Sequence, residues 1–211
     1  MHTCYSPDSK SLPEDIIQRC LEIQINCLAV ADHNTISGAL ELQRSAPFTI
    51  IVGEEIRTTY GEIIGFFLHE EIQRHLSPEE TVARIKGQGG LVCIPHPFDR
   101  FRIRSRLQYS SLKKIMPFVD LIEVFNSRTL MLRDSVRAGL LAQRHGLPGT
   151  AGSDAHTVSE IGNSFTELSE FTDAEQFRLA LRRGRIQGRR TNPLVHVYNT
   201  KNRLIRRIGR R

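Results

Sequence analysis

The chain has 211 residues, of which 39% are apolar and 25% charged, as in an ordinary globular protein. This length predicts one or at most two domains, and no apolar run approaches the ~20 residues that span a bilayer, which argues against a transmembrane protein. The first residues lack the basic and apolar segments of a secretory signal, and the four cysteines form no CxxC pair. These features predict a cytoplasmic protein with reduced thiols.

Charge is distributed unevenly along the chain. The formal net charge is +6, but all 23 acidic residues lie at or before Glu175. From Arg178 to the end there are 12 Lys and Arg residues and no acidic residue. We therefore predict a folded domain over residues 1–188 and a basic C-terminal tail over residues 189–211. The tail is either a solvated end or a segment attracted to phosphate-bearing partners.

Short apolar runs alternate with helical patterns through most of the chain. A short strand is predicted before Gly152, and longer ones at Cys27–Ala31, Thr49–Val52, Glu62–Leu68, Leu91–Ile94 and Asp120–Phe125. Helical periodicity covers Ile16–Ile23, Val82–Lys86 and Leu130–Arg144. Capping-box spacing, with Glu three residues after Ser or Thr, predicts helix starts at Ser11, Ser77 and Thr172. Strands alternating with helices predict an α/β protein with a mainly parallel sheet and helices outside it.

Histidine and carboxylate side chains follow four of the predicted strands. They are Asp32-His33, Glu54-Glu55, His96 and the segment from Asp154 to His156. In a barrel, the carboxyl ends of the strands meet at one face, where sites are built. One such residue is more often a hydrogen-bonded core histidine or part of a turn, but four at corresponding positions predict a site. Imidazole and carboxylate ligands without thiolate suit Zn²⁺, Mn²⁺ or Fe²⁺, and such sites carry hydrolysis by a metal-activated water.

Five segments, in this order, resemble the motifs of the PHP (polymerase and histidinol phosphatase) family: residues 2–9 (HTCYSPDS), 31–34 (ADHN), 53–56 (GEEI), 95–97 (PHP) and 152–156 (GSDAH). The resemblance extends from His2 to about Gly188. It implies a distorted (β/α)7 barrel that hydrolyses phosphoesters at a trinuclear metal site. Known members include histidinol-phosphate phosphatases, nucleotide phosphatases, exonucleases and the proofreading domains of bacterial polymerases. The implied cofactors are two or three divalent ions per chain, Mn, Zn or Fe.

Carried over to this sequence, the resemblance implies three groups of metal ligands. They are His2, Glu55 and Asp154 for one metal, Glu55 and His96 for the second, and Asp8, His33 and His156 for the third. Glu62 stands where many members have a further histidine. It is either a carboxylate ligand, which favours Mn²⁺ or Fe²⁺, or an exposed strand residue.

Three further acidic residues have more than one interpretation. Asp8 either ligates the third metal or caps the turn at Ser11. Asp32 is predicted to orient His33 or cap the following turn rather than to contact a metal. Glu54 is predicted to be a solvated neighbour of Glu55, because adjacent strand residues point to opposite faces.

The N-terminus departs from the family pattern. The family carries His-x-His after its first strand, whereas here Met1 occupies the x position and the first His is absent. The first barrel strand is therefore predicted to be truncated. We interpret this departure as a natural chain that starts upstream, or alternatively as a site in which the α-amino group of Met1 replaces the lost imidazole. Expressing a form extended by the upstream codons, and comparing its metal content and hydrolysis, would distinguish the two.

Arginines accompany the predicted site. Arg100, Arg102, Arg104 and Arg106 follow Pro97 with period-two spacing, and Arg128 lies just past a predicted strand. The planar guanidinium matches phosphate oxygens, so Arg128 is predicted to hold the substrate phosphate, while Arg104 and Arg106 are more typical of a solvated loop. Proton transfer is assigned to Asp154 or His156.

The chain is thus predicted to be a metal-dependent phosphoesterase of the phosphatase or exonuclease type. A nucleotide or oligonucleotide is favoured over histidinol phosphate, because no long insertion encloses a small ligand. The expected partner is a phosphorylated small molecule or an oligonucleotide, with no membrane. The alternative is a catalytically impaired PHP-like module that binds nucleic acid or a protein partner.

Overall fold

A computed structural model describes residues 1–191 of the chain. The helices of this part are α1 (Pro13–Glu22), α2 (Ser37–Ser45), α3 (Pro78–Gly87), α4 (Tyr109–Ile115), α5 (Leu132–Arg144) and α6 (Ala174–Leu181). The strands are β1 (Cys27–His33), β2 (Thr49–Thr58), β3 (Gly61–Phe66), β4 (Leu91–Ile94), β5 (Leu121–Asn126), β6 (Gly149–Gly152), β7 (Ser164–Glu167) and β8 (Arg185–Gly188). The first six strands are close to the predicted ones, whereas α2, α4, β7 and β8 were not predicted.

Six strands form one mixed sheet in the order β1-β2-β3-β4-β5-β6, and β7 pairs with β8 separately. The pairs β1–β2, β4–β5 and β5–β6 are parallel, whereas β3 is antiparallel to both of its neighbours. Strand β2 continues to Thr58, six residues beyond the predicted end, and turns directly into β3. The predicted seven-stranded barrel and its truncated first strand are not confirmed; the sheet is a curled half-barrel of six strands.

Residues 1 and 2 lie between the two edges of this sheet. The Met1 amino nitrogen donates to the Ala29 carbonyl (3.1 Å), and the Ala31 N–H donates to the Met1 carbonyl (3.0 Å). The His2 N–H donates to the carbonyl of Ala155, just after β6 (2.8 Å). One dipeptide therefore reaches both edges, and the side chain of His2 lies between the ends of β1 and β6.

Both faces of the sheet are buried. Val30 packs into the larger apolar cluster, while its neighbour Ala31 packs into a second cluster that Phe177 and Leu181 of α6 cover. Successive strand residues point to opposite faces, so each strand must be apolar on both sides. This explains why the strands are recognisable in the sequence as short continuous apolar runs.

The capping box predicted at Ser77 is confirmed. The Ser77 hydroxyl accepts from the Glu80 N–H (3.1 Å), and the Glu80 carboxylate accepts from the Ser77 N–H (2.9 Å). A second box, not predicted, joins Thr157 and Glu160 at a single 3₁₀ turn. That turn lies directly after His156, and its Glu160 accepts a hydrogen bond from the His156 N–H.

The capping boxes predicted at Ser11 and Thr172 are wrong. The N-cap of α1 is Leu12, which makes no side-chain cap, while Ser11 is buried and bonded to the N-terminal segment. The N-cap of α6 is Asp173, whose carboxylate accepts from the Gln176 N–H (2.8 Å). In both cases the helix begins one residue later than the spacing indicates, so the next residue is at the N-cap position.

The first residues beyond Gly188 are attached to the folded body. The Arg189 N–H donates to the Asn163 carbonyl (2.7 Å), and the Thr191 N–H donates to the Ser127 carbonyl (2.8 Å). The rest of the predicted basic tail, residues 192–211, lies outside the described residues. Among residues 1–191, no helix combines the length and apolar character needed to cross a bilayer.

Candidate metal centre

Three histidines from distant parts of the chain meet at the mouth of the curled sheet. His2 belongs to the N-terminal segment, His33 ends β1, and His156 follows β6. The ring centroid of His2 lies 4.5 Å from that of His33 and 4.2 Å from that of His156. One ring nitrogen of each histidine lies within 4.8 Å of the others, a spacing at which a single cation can be bound.

Glu55 lies at the centre of this arrangement. Its Oε2 is 3.1 Å from His33 Nδ1 and 3.5 Å from His2 Nε2, and its Oε1 is 3.3 Å from His96 Nε2. Strand β2 pairs in parallel with β1 so that Glu55 lies opposite His33. The carboxylate is buried, and its two oxygens face two different groups of nitrogen atoms.

A second group of donors consists of Glu55, Glu62 and His96, all buried. Glu62 lies on β3 opposite Arg57 of β2, and its carboxylate is 3.0 Å from the Arg57 guanidinium. The interpretation of Glu62 as an exposed strand residue is therefore wrong. The antiparallel turn after the long β2 strand brings Glu62 back to the face that carries Glu55.

Two aspartates complete the set. Asp8 Oδ2 is 3.5 Å from His33 Nε2 and Asp8 Oδ1 is 3.5 Å from His156 Nε2, so Asp8 faces the histidines rather than the turn at Ser11. Asp154 Oδ1 is 3.2 Å from His2 Nε2. All eight residues predicted as ligands therefore lie together at one end of the sheet.

Backbone strain marks the strand ends that carry these side chains. His96 and Asp154 have φ angles of +31° and +49°, in the left-handed region that residues with a Cβ rarely adopt. Each follows a short parallel strand, β4 or β6, and turns its side chain into the site. Strained residues of this kind concentrate at functional sites, where surrounding contacts hold them.

Asp32 orients the N-terminal segment. Its carboxylate accepts from the Thr3 N–H (2.7 Å) and from the hydroxyls of Thr3 (2.6 Å) and Ser6 (2.7 Å). A Cβ on Gly38 would lie 2.4 Å from this carboxylate, so helix α2 can approach it only at a glycine. The prediction that Asp32 supports rather than ligates agrees with this geometry, although it acts through Thr3 and Ser6.

Ser6 transmits this orientation to His2. Because the Ser6 hydroxyl donates its one proton to Asp32, its oxygen must accept from His2 Nδ1–H (3.1 Å) and from the His33 N–H (3.0 Å). His2 therefore carries its proton on Nδ1, and its Nε2 lone pair points toward Glu55 and Asp154. Ligating histidines are typically fixed by such a bond on the other ring nitrogen.

Two supporting carboxylates were not predicted. Glu123 of β5 is buried and accepts from the His96 N–H (2.8 Å) and from the Asn126 amide (3.0 Å). A Cβ on Gly152 would lie 2.0 Å from Glu123 Oε1, so β6 passes this carboxylate at a glycine. The one signal in the sequence was an acidic residue inside an apolar strand.

The second is Glu160, which binds Arg128 and the backbone around His156. Arg128 Nε donates to Glu160 Oε1 (2.8 Å), while Glu160 Oε2 accepts from the N–H groups of His156 and Thr157 (3.1 Å each). Arg128 Nη1 also lies 3.0 Å from His156 Nδ1. Arg128 thus lies at the site, but its guanidinium is buried and bound by Glu160.

Among the predicted arginine series, Arg102 reaches the site. Its guanidinium contacts the Asp154 carboxylate and remains 21% exposed. The Arg100 guanidinium lies 3.4 Å from the Asp134 carboxylate, and Arg104 is exposed. The period-two spacing therefore does not describe a strand face, because residues 97–108 form turns rather than a strand.

The prediction for Glu54 is wrong. Its side chain points away from Glu55, as strand alternation requires, but it is fully buried rather than solvated. Glu54 Oε2 accepts from the Ile72 N–H (2.9 Å), and burial raises the pKa of this carboxyl to about 7. It anchors the loop after β3 because the face opposite the site is also covered.

Burial and the charges of neighbouring side chains compete in setting the pKa values of the site. Burial and the neighbouring His156 and His33 lower the pKa of His2 to about 4, so its imidazole is neutral. Burial and the charge of Glu55 raise the pKa of Glu62. Burial disfavours ionisation of Asp8, but the facing imidazoles of His156 and His33 outweigh it and hold the pKa of Asp8 far below its ordinary value.

In a comparison with protein families, residues 135–186 match the family described as PHP-associated. The uncharacterized protein MJ0417 of Methanocaldococcus jannaschii is 38% identical over 144 residues, 67% of this chain and 57% of that protein. The chain therefore spans little more than half the length of this curated relative.

Solved structures with a similar fold include a two-domain protein from Bacteroides vulgatus that contains a predicted PHP-like metal-dependent phosphoesterase. Its TM-score is 0.70 at 15% identity, over 90% of this chain and 63% of that chain. Endonuclease Q, solved with a 27-mer duplex carrying an abasic lesion at its active site, has a TM-score of 0.62 at 17% identity, over 84% of this chain and 54% of that chain.

The fold is thus the α/β fold of PHP-like metal-dependent phosphoesterases, with histidines and carboxylates gathered at the end of its sheet. The PHP-associated match over residues 135–186 extends from the first turn of α5 to the first half of β8. The chain thus resembles the PHP family in its fold, in this partial match and in its group of histidines and carboxylates.

Proposed function

We propose that this protein hydrolyses phosphoester bonds of nucleic acids or nucleotides with bound divalent metal ions. The observation that carries the proposal is Glu55, whose two buried oxygens lie 3.1–3.5 Å from nitrogen atoms of His2, His33 and His96. A carboxylate in this position can join two cations. The DNA bound by the structurally similar endonuclease Q supports the choice of a nucleic-acid substrate.

The donor atoms suit such ions. Within residues 1–191, Asp8 Oδ1 and His96 Nδ1 are buried without a hydrogen-bond partner, which is costly unless another ligand contacts them. Glu55 and Glu62 are buried side by side, and two carboxylates so placed repel each other unless a cation lies between them. Nitrogen and oxygen donors without a thiolate fit Mn²⁺, Zn²⁺ or Fe²⁺.

We assign the donors to three positions. These are His2, Glu55 and Asp154; then Glu55, Glu62 and His96; and then Asp8, His33 and His156. When bound, divalent ions activate a water molecule and stabilise the negative charge that develops on the phosphoryl oxygens.

The remaining roles fall to side chains at the rim. Arg102 is the partly exposed guanidinium at Asp154, so it can turn to the substrate phosphate, whereas Arg128 is bound by Glu160 and acts by holding His156. The role of binding the substrate phosphate, which was predicted from the sequence for Arg128, is therefore proposed for Arg102. Proton transfer to the leaving oxygen is proposed for His156, which faces the centre of the site, whereas Arg102 and the His2 hydrogen bond outweigh burial and hold the pKa of Asp154 well below its ordinary value.

The direct test is metal content together with hydrolysis. The purified chain is expected to bind at least one equivalent of Mn²⁺, Zn²⁺ or Fe²⁺ and to release the product of an aryl phosphate or a short oligonucleotide, with activity lost to a chelator and restored by Mn²⁺. Less than one equivalent of metal and no hydrolysis would contradict the proposal. That result would favour a catalytically impaired module that binds nucleic acid or a protein partner.

Replacing Ser6 by Ala tests the orientation of His2. We expect metal affinity to fall about 10–100-fold, the usual effect of removing a partner that fixes a ligating histidine. Calorimetric titration with Mn²⁺ measures this change. Ser45→Ala, which removes a hydroxyl bonded to a helix carbonyl on α2, should leave the affinity unchanged. If both variants bound Mn²⁺ with the same affinity, Ser6 would have no role in orienting His2 for metal binding.

The basic tail is proposed to act through its charge. Deleting residues 192–211 retains the hydrogen bonds of Arg189 and Thr191 to the domain. We expect the shortened protein to hydrolyse a small aryl phosphate normally and to bind an oligonucleotide more weakly at ~50 mM salt, with the difference fading as salt rises. Binding that is identical with and without the tail at low salt would show that the tail is a solvated end.

A further inference from the structure

A cavity of about 830 Å³ opens beside the metal centre. One wall is the N-terminal segment at Tyr5 and Pro7, and the facing wall is the loop of residues 71–74. His33, which belongs to the three-histidine group, lines the same cavity. A substrate whose phosphate lies among the histidines would extend its next chemical group into this space.

The walls of the cavity are held in place from several directions. The Ile72 N–H donates to the buried Glu54 (2.9 Å), and the His75 N–H donates to the Arg57 carbonyl of β2 (2.6 Å). Glu71 accepts from the Ile36 N–H (3.3 Å) and from the Ser37 hydroxyl (3.2 Å). The cavity is therefore preformed, as ligand sites generally are.

Tyr5 presents a fixed aromatic ring to the cavity. Its hydroxyl donates to Glu41 (2.6 Å) and its N–H donates to the Thr3 hydroxyl (3.1 Å), yet 47% of the residue is exposed. A large aromatic residue that is both restrained and exposed offers a surface on which a planar ring can stack. Bases of nucleic acids stack on such rings without regard to sequence.

The cavity has one arginine side chain that can face an anionic group of a ligand. Glu71 is compensated by the donors of residues 35–37. Arg74 lines the cavity, and within residues 1–191 no carboxylate is paired with it. Gln73 adds an exposed amide that can bond the edge of a base. An aromatic ring, an amide and an unpaired guanidinium together match a nucleoside joined to phosphate.

From this arrangement we infer that the cavity binds the nucleoside attached to the hydrolysed phosphate, with its base stacked on Tyr5 and Arg74 facing the adjoining phosphate of the strand. The inference rests on the proposed phosphoesterase function and specifies its substrate as a nucleotide unit. A sugar phosphate without a base would leave the Tyr5 ring uncovered and bind more weakly.

The test measures binding with ligands that cannot be hydrolysed. Adenosine 5′-phosphonate, with CH₂ in place of the ester oxygen, is compared by calorimetry with the matching ribose phosphonate, in the presence of Mn²⁺. We expect the wild-type chain to prefer the nucleoside ligand by about tenfold or more, as stacking on one ring supplies. Tyr5→Ala should remove the preference, and Tyr5→Phe, which keeps the ring, should retain it.

Tyr60→Ala serves as the matched control, because Tyr60 is 49% exposed but lies at the β2–β3 turn, outside the cavity. It should bind both ligands like the wild type. No preference in the wild type, or a preference that survives Tyr5→Ala, would overturn the inference. Hydrolysis of glycerol 2-phosphate, which has no ring, is assayed separately. Absence of this hydrolysis would contradict the phosphoesterase activity, whereas hydrolysis without a nucleoside preference would contradict only the nucleoside site.

Discussion

Glu55→Gln is expected to reduce phosphoester hydrolysis by about 10³-fold or more, since removing even a residue that supports a ligand costs ~10–100-fold. The amide keeps the size of the side chain but removes the charge that faces His2, His33 and His96. Metal content should fall with activity, because both oxygens of the carboxylate face donor groups. Elemental analysis of the purified variant and a phosphate-release assay measure the two effects.

The control for this substitution must be a glutamate outside the site. Glu54, the neighbour in sequence, is unsuitable because it is buried and binds the Ile72 N–H. Glu70 is exposed and lies in the loop after β3, so Glu70→Gln should keep both metal and activity. If Glu54→Gln lowered activity more than Glu55→Gln, the assignment of the bridging carboxylate would be wrong.

Glu160→Ala is expected to have the largest effect on stability, lowering the free energy of unfolding by about 3–5 kcal/mol, as when one partner of a buried ion pair is removed. The substitution leaves the buried guanidinium of Arg128 without its carboxylate. It also leaves the N–H groups of His156 and Thr157 without their acceptor. Urea unfolding, followed by circular dichroism, measures the change.

Glu175→Ala is the matched control for this measurement. Glu175 pairs with Arg178 across one turn of α6, but its side chain is 60% exposed. Solvent screens such pairs, so this substitution should leave the unfolding midpoint unchanged. A Glu160→Ala variant as stable as the wild type would mean that Arg128 and the turn after His156 are held by other contacts.

Much of the site was predictable because ligand chemistry is restricted to few residue types. His33, Glu55, His96, Asp154 and His156 stand beside apolar runs in the sequence, and a run of that kind forms a strand wherever both of its faces are buried. Parallel neighbours then place their carboxyl ends at one edge. The order of such runs and polar residues was therefore enough to predict one site.

Other predictions failed where the environment of a residue depends on distant segments. Glu54 was expected to be solvated, because alternation along β2 shows that it faces away from Glu55 but not what covers it. The cover is the loop around Ile72, eighteen residues further along the chain. The cap at Ser11 failed for a similar reason, since contacts with the N-terminal segment bury Ser11.

The residues that hold the ligands were the hardest to recognise. Glu123 and Glu160 have no motif of their own, and an acidic residue in the sequence does not reveal whether it meets an N–H group or water. Their roles depend on close approaches, such as that of Gly152 to Glu123, which only the packed chain defines.

The sequence by itself determined the alternation of strands and helices, the side chains that gather as candidate ligands and the basic end of the chain, because these follow from local polarity, residue chemistry and the order of the motifs. The tertiary structure alone decided the distances around Glu55, which ring nitrogen of His2 carries the proton, and which arginine is partly exposed beside Asp154. Those properties depend on distances of about 3 Å between residues far apart in the chain, and no local pattern specifies such distances.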